Sequence, residues 1–253
     1  MTISTPHSSH ILSLRSLWKE AFGDSDTFLD IFFKTAFSPE RCRCILDGDT
    51  VVATLYWFDC TYEEKKIAYI YAVATAKSHR GQGLCQKLMQ DTHSHLSSLG
   101  YEGSLLVPGN AKLFEMYEKM GYKTSSNIRE FQCKASLEEL LLCPISASEY
   151  ARLRKLLLPR GSVLQENENL DFLQTQVQFY MGLGFLLAAY GENDTLHGIE
   201  LLGDITITPA ITHTLGYKRG TFRTTGNGRP FAMYHPFDNT DLTSPKYFAF
   251  AFD

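Results

Sequence analysis

The chain has 253 residues, 44% of them hydrophobic and 13% aromatic, enough apolar material for a full core. Its net charge is −4 and no Lys/Arg cluster is present, so nucleic acid and anionic membrane surfaces, which require a basic face, are poor first partners. No apolar run approaches the roughly 20 residues that span a bilayer, and the polar opening MTISTPHSSH lacks a secretory pattern.

In chain order, residues 11–37 show two helical stripes, Leu14, Leu17 and Trp18, then Phe28, Leu29, Phe32 and Phe33. Gly23-Asp24-Ser25 separates them, with Ser25 or Asp26 as a cap for the second helix. RCRCIL, the turn Asp47-Gly48-Asp49 and TVVATLYWFDC predict an antiparallel hairpin. Residues 67–76, IAYIYAVATA, form a third strand without a charged residue. After the glycine-containing stretch HRGQGLCQKL (79–88), Leu84, Leu88, Met89, Leu96 and Leu99 line one helical face that Gly100 stops. GSLLV (103–107) is a short buried strand. Asn110 caps a further helix, striped by Leu113, Met116, Tyr117 and Met120 and stopped by Gly121, and residues 122–133 are a last strand. The order ααβββ, glycine turn, αβαβ predicts an α/β fold with a mixed sheet and helices on its faces.

Beyond residue 134 the pattern resets, so the expected domains are 1–134 and 135–253. SLEELLL, EYARLRKLLL and NLDFLQTQVQFYMGLG read as helical. GFLLAAY and LHGIELLG flank a GEND turn, and residues 211–234 give a short helix to Gly216, then two strands joined at Asn227-Gly228. MGYKTS (120–125) and LGYKRG (215–220) both run from helix end through Gly-Tyr-Lys to a strand, a hint of an internal repeat. In the tail SPKYFAFAFD, alternating Phe248, Phe250 and Phe252 predict a strand that closes the second domain's sheet and carries Asp253 to a fixed place. Six cysteines (42, 44, 60, 85, 133 and 143) lack zinc spacing and read as free thiols in a reducing cytoplasm, with no metal; Cys42 and Cys44 point to one strand face.

Residues 80–85 carry the chemistry. A Walker A loop is absent, and a dinucleotide fingerprint fails because Gln86 stands where its third glycine belongs. Arg80-Gly81-Gln82-Gly83-Leu84-Cys85 remains, lying between a strand and a helix. Amides at a helix start, the helix dipole, an arginine and two glycines able to take left-handed turns are the parts of a phosphate cradle.

Here the sequence resembles the GNAT superfamily of acetyl-CoA-dependent N-acetyltransferases. Their Arg/Gln-x-x-Gly-x-Gly/Ala signature is matched except at Cys85, which replaces Gly or Ala. The residues before it resemble the family's fourth strand, and Asn110…Tyr117 followed by Gly121-Tyr122 resembles its later motif. The resemblance covers about residues 67–122 and implies a GNAT fold throughout, with a catalytic first domain and a smaller, degenerate GNAT-like second one. It further implies that Val73, Ala74 and Thr75 offer backbone to pantetheine. Arg80, Gly81, Gln82, Gly83, Leu84 and Cys85 would hold the diphosphate, Asn110 would touch the pantetheine arm, and Tyr117 would protonate the departing thiolate.

The implied reaction is direct attack of a primary amine on the thioester carbonyl through a tetrahedral intermediate, with acetyl-CoA as cosubstrate. The acceptor is a small-molecule or peptide amine. No general base stands out among Tyr69, Tyr71, Glu63, Glu102, His79, His93 and His95, and the oligomeric state is not legible. Two alternatives remain at this point, a non-catalytic CoA-binding sensor or scaffold and an acyltransferase with a different acyl donor. For Tyr117 an ordinary place in the core, and for Asn110 a simple N-cap, stand beside these roles.

Overall fold

The stripe Leu14, Leu17 and Trp18 is the buried face of α1 (Ile11–Phe22), which Gly23 ends at φ +80°. Ser25 caps α2 (Asp26–Thr35) by accepting the Phe28 amide, and Leu29 and Phe32 are buried. The computed structural model describes residues 1–237 and 242–252, and these divide into two units, Met1–Lys123 with Tyr234–Thr243 and 124–233 with the residues from Ser244 on. Among the described residues no helix is long and apolar enough to cross a membrane.

In the first unit the strands β1 (Thr2–Ser4), β2 (Cys42–Asp47), β3 (Thr50–Tyr62), β4 (Lys65–Thr75) and β5 (Gly103–Leu106) lie side by side in chain order. The first four are antiparallel and β5 runs parallel to β4, reached through α3 (Leu84–Ser98). Residues Val51 to Phe58 of β3 are all buried, as a strand covered on both faces requires. The short α4 (Ala111–Glu118) follows β5. The three-residue β1 has no counterpart in the sequence reading, because its polar residues lack any alternation.

The second unit is built on β6 (Lys123–Lys134), β7 (Leu142–Ile145), α5 (Ala147–Leu157), the two-residue β8 (Leu164–Gln165), α6 (Glu168–Leu173), β9 (Gln178–Gly182), β10 (Phe185–Glu192), β11 (Thr195–Gly203), α7 (Thr208–Thr214), β12 (Arg219–Thr225) and the first five residues of β13 (Arg229–Pro236), whose last three count with the first unit. Its strand order is β13-β6-β12-β11-β10-β9-β7, with β12 parallel to β11 and α7 as the crossover. The sequence break at 134 and the spatial one at 123 differ by β6, which pairs with β12 over Ile128–Lys134.

Two helical expectations are corrected. SLEELLL forms no helix: Leu137 and Leu141 are 94% and 86% exposed, and Leu142 opens β7. Of residues 169–184 only the start is helical, and Gln178–Gly182 is a strand. There Val177 and Phe179 are buried around the exposed Gln178, and this period of two outweighs the helical spacing upstream.

The Gly-Tyr recurrence has a local cause. Gly121 and Gly216 both sit at left-handed φ after a helix, and so does Gly100. In each case the following tyrosine donates its amide to a carbonyl in the helix's last turn: Tyr101 to Leu96, Tyr122 to Tyr117 and Tyr217 to Thr212. This is a helix stop used three times. Within the β-α-β crossovers, 215–220 corresponds in position to 99–104 rather than to 120–125.

The tail also departs from expectation. Phe248, Phe250 and Phe252 are buried, but no strand forms there. Side chains hold its backbone instead. The Ser126 hydroxyl accepts the Phe248 amide at 2.9 Å, and Gln165 accepts the Phe250 amide at 3.2 Å while donating to its carbonyl at 2.9 Å. Tyr247 donates to Glu200, whose carboxylate also receives Tyr150 at 2.8 Å and the Arg154 guanidinium at 2.8 and 3.0 Å. Arg154 and Glu200 are fully buried, so these donors offset the cost of taking the charges out of water. Asp253 lies outside the described residues.

Candidate active site

The site begins where β4 leaves its neighbours. β4 pairs with β5 only at Ala68↔Ser104 and Tyr69↔Leu105, and then runs on alone to Thr75 on that side. On its other side the register with β3 slips between Thr54↔Ala74 and Tyr56↔Tyr71, so Ala72 and Val73 both oppose Leu55. Ala72 takes φ +48°, rare for a residue with a Cβ, and marks a β-bulge. Val73 and Thr75 are half-buried, and Ala74 is buried. A bulged strand beside a parting sheet exposes backbone groups for an extended ligand.

The chain then turns through residues 76–83 into α3. Arg80 is exposed, and its Nε donates to the Thr75 carbonyl at 3.1 Å, which fixes the guanidinium beside the end of β4. Gly81 and Gly83 have φ +76° and +73°, conformations that a Cβ would strain. Gln82 is exposed and Leu84 is buried under the first turn of α3. Gly83 occupies the N-cap without a side-chain cap, and the first turn holds no acidic residue. The helix therefore keeps its partial positive charge and its first amides available to an anion. These features fit a diphosphate.

Cys85 is half-buried, and burial pushes its thiol up to about 11. Across from it, Tyr117 of α4 is buried, its phenol pushed well up by burial and further by the nearby Cys85 thiol. Tyr117 thus stays protonated at neutral pH. Asn110 caps α4, accepting the Leu113 amide at 3.2 Å, and is otherwise exposed.

A buried polar group behind Tyr117 has no counterpart in the sequence reading. Tyr122 packs edge-on to Tyr117, with ring centroids 5.8 Å apart. Its hydroxyl lies 2.6 Å from Ser104 Oγ and 2.9 Å from His93 Nε2. His235 stacks on His93 at 4.5 Å, and its Nδ1 lies 3.1 Å from the Gly121 carbonyl. The signal was present, since His93 lies four residues after Met89 and three before Leu96, on the buried stripe of α3.

Residues 2–125 match the family model described as the acetyltransferase (GNAT) domain. No curated protein matches the chain. Among solved structures, a GCN5-related N-acetyltransferase from Anabaena variabilis ATCC 29413 is similar with a TM-score of 0.74 at 16% identity, covering 92% of this chain and 72% of its own. One from Kribbella flavida has a TM-score of 0.70 at 14% identity, covering 92% of this chain and 70% of its own. At these identities the likeness is one of fold, and it extends through both units.

Proposed function

Residues 2–125 belong to the GNAT acetyltransferase family, and from that premise we propose that the chain moves an acetyl group from acetyl-CoA to a primary amine. The observation that carries this reading is one arrangement: an uncapped helix start behind two left-handed glycines, beside a bulged strand end and a buried phenol.

Arg80 and the amides of Gln82 to Cys85 hold the diphosphate, and the backbone of Val73, Ala74 and Thr75 aligns the pantetheine arm alongside Asn110. An amide of the bulged segment of β4 stabilises the oxyanion that develops on the thioester carbonyl. The amine nitrogen adds to the acetyl carbon to give a tetrahedral intermediate and loses its proton to solvent, and the carbon–sulfur bond breaks as that intermediate collapses. Tyr117 gives its proton to the departing thiolate, whose parent thiol has a pKa near 8.5.

Residues 135–253 act as a degenerate second copy that carries no cofactor. The succession β10, β11, α7, β12 repeats β3, β4, α3, β5, and β11 is also bulged, its register slipping at Ile199. No Gly-x-Gly turn precedes α7, and Pro209 removes an amide from its first turn.

The test is a panel of primary amines with acetyl-CoA, followed by release of free thiol. Amine-dependent release supports the reading. Binding of acetyl-CoA without release for any amine would favour a sensor, and faster turnover of longer acyl-CoA esters would favour another acyl donor.

A further inference from the structure

The second unit carries a polar sheet face opposite the helix α7, whose partners Phe222 and Leu201 belong to the apolar core. Cross-strand register lays this face out in rows. Gln132 of β6 pairs with Thr221 of β12, Thr221 with His197 of β11, and His197 with Tyr190 of β10. One step along on one side, Glu130 pairs with Arg223; one step on the other, Lys134 pairs with Arg219 and Arg219 with Thr195.

The two ends are treated differently. At the first, Glu130 accepts from Arg229 at 2.6 and 2.8 Å and faces Arg223 at 3.4 Å, so each cation has a carboxylate partner. At the second, two cations stand directly opposite each other, an arrangement that destabilises a sheet. Among the described residues the Lys134 and Arg219 side chains form no ion pair with a carboxylate; the nearby Asp194, which feels the charge of Arg219, is bound by Lys218 at 2.8 Å. Beside this cation pair opens a pocket of about 520 Å³, which Thr195, Thr221, Gln132 and His197 also line. It shares Gln132, His197 and Thr221 with a neighbouring pocket of about 350 Å³ at Tyr190. The shared wall is rigid, because His197 Nδ1 lies 2.9 Å from Thr221 Oγ1 and the imidazole stacks on Tyr190 at 4.9 Å with the planes 14° apart.

We propose that this face binds a small phosphomonoester that bears a planar ring. The dianion offsets the charges of Lys134 and Arg219 and receives hydrogen bonds from Thr195, Thr221 and Gln132. The ring lies against the Tyr190–His197 stack. Both pockets together have the volume of ordinary small-ligand sites, and the facing cations supply what a charge-neutral sheet surface would not, an electrostatic deficit that a bound anion removes.

The probes are inorganic phosphate and phenyl phosphate, titrated calorimetrically into the whole chain at fixed ionic strength with chloride as the balancing anion. The expected result is saturable binding of both, with phenyl phosphate at least tenfold tighter. Arg219→Ala should weaken both at least tenfold, and Tyr190→Ala should remove the advantage of phenyl phosphate alone. Both residues are exposed, and an unchanged acetyl-CoA affinity checks that each variant is folded. In addition, Arg219→Ala without ligand should melt at a temperature equal to or above wild type in low salt, since it relieves a like-charge pair. The assignment is overturned by absence of saturable phosphate binding to wild type or by full retention of binding in Arg219→Ala. Equal affinity for the two probes overturns the placement of the ring.

Discussion

The Tyr122 hydroxyl is 2.9 Å from His93 Nε2, with the tyrosine buried and the imidazole largely so. An imidazole in this position must stay neutral. Burial first, and the charge of His235 second, push His93 down to about 3, while Tyr122, Ser104, His235 and Phe237 enclose it.

Stability therefore depends on pH in a defined direction. The unfolded chain binds a proton at His93 near 6.5 and the folded one near 3, so stability is full above about 6.5 and falls as the pH drops towards 3. At pH 4.5 the loss from this group is roughly 2–3 kcal/mol. Urea unfolding of wild type and His93→Gln at pH 7 and 4.5 measures it: wild type loses more by that amount, and equal losses would remove His93 from the account.

Tyr117→Phe keeps the ring and deletes the proton. We expect kcat to fall about 10²-fold, within the range of general acid catalysis, while the Kd for acetyl-CoA stays within about twofold. Because burial holds the phenol above its ordinary value, wild type should show no alkaline loss of kcat assignable to Tyr117 up to pH 10. Rapid kinetics across that range, with equilibrium binding alongside, gives both readouts.

Gly83→Ala tests the turn. A Cβ at Gly83 meets no atom within 4 Å, so the whole penalty comes from φ +73°. That penalty is about 1–2 kcal/mol, and the turn escapes it by relaxing away from the left-handed region. The expected result is at least a tenfold weaker acetyl-CoA affinity with a small change in melting temperature. Unchanged affinity would mean that this turn does not hold the diphosphate.

Glu200→Gln leaves Arg154 buried with an uncompensated charge, at a cost of about 3–5 kcal/mol. The pair Glu200→Leu with Arg154→Met should recover most of that loss. Denaturant titrations of the two variants against wild type decide it.

Local rules made most of the first unit legible. The Asp47–Asp49 turn, the caps Ser25 and Asn110 and the stops Gly23, Gly100 and Gly121 are contests between neighbours in sequence, and the chain resolves them as expected. The glycines of the turn before α3 were legible for the same reason. What could not be read is what depends on distant partners. The bulge at Ala72 exists only against Leu55, and the Tyr122 group joins three elements. In the second unit, the helical spacing of Leu140 and Leu142 yields to distant partners: the first bonds Thr214 through its amide and the second pairs with Gly182. The tail carries strand-like alternation, yet Gln165 and Ser126 meet its backbone where a neighbouring strand was expected.

The first unit includes Tyr234–Thr243, which follow it after an interval of 110 residues, 124–233. Tyr234 fills the space over Gly103, where even a Cβ would clash with its ring and hydroxyl, and the Phe237 amide bonds the Glu102 carbonyl. During synthesis at about 5–20 residues per second, the edge of β5, which ends at Leu106, thus waits about 6–26 s for Tyr234. The nascent amino-terminal half cannot finish folding first and leave the rest to follow. It emerges from the ribosome with a strand edge open, and is at its most vulnerable to misassociation in that interval.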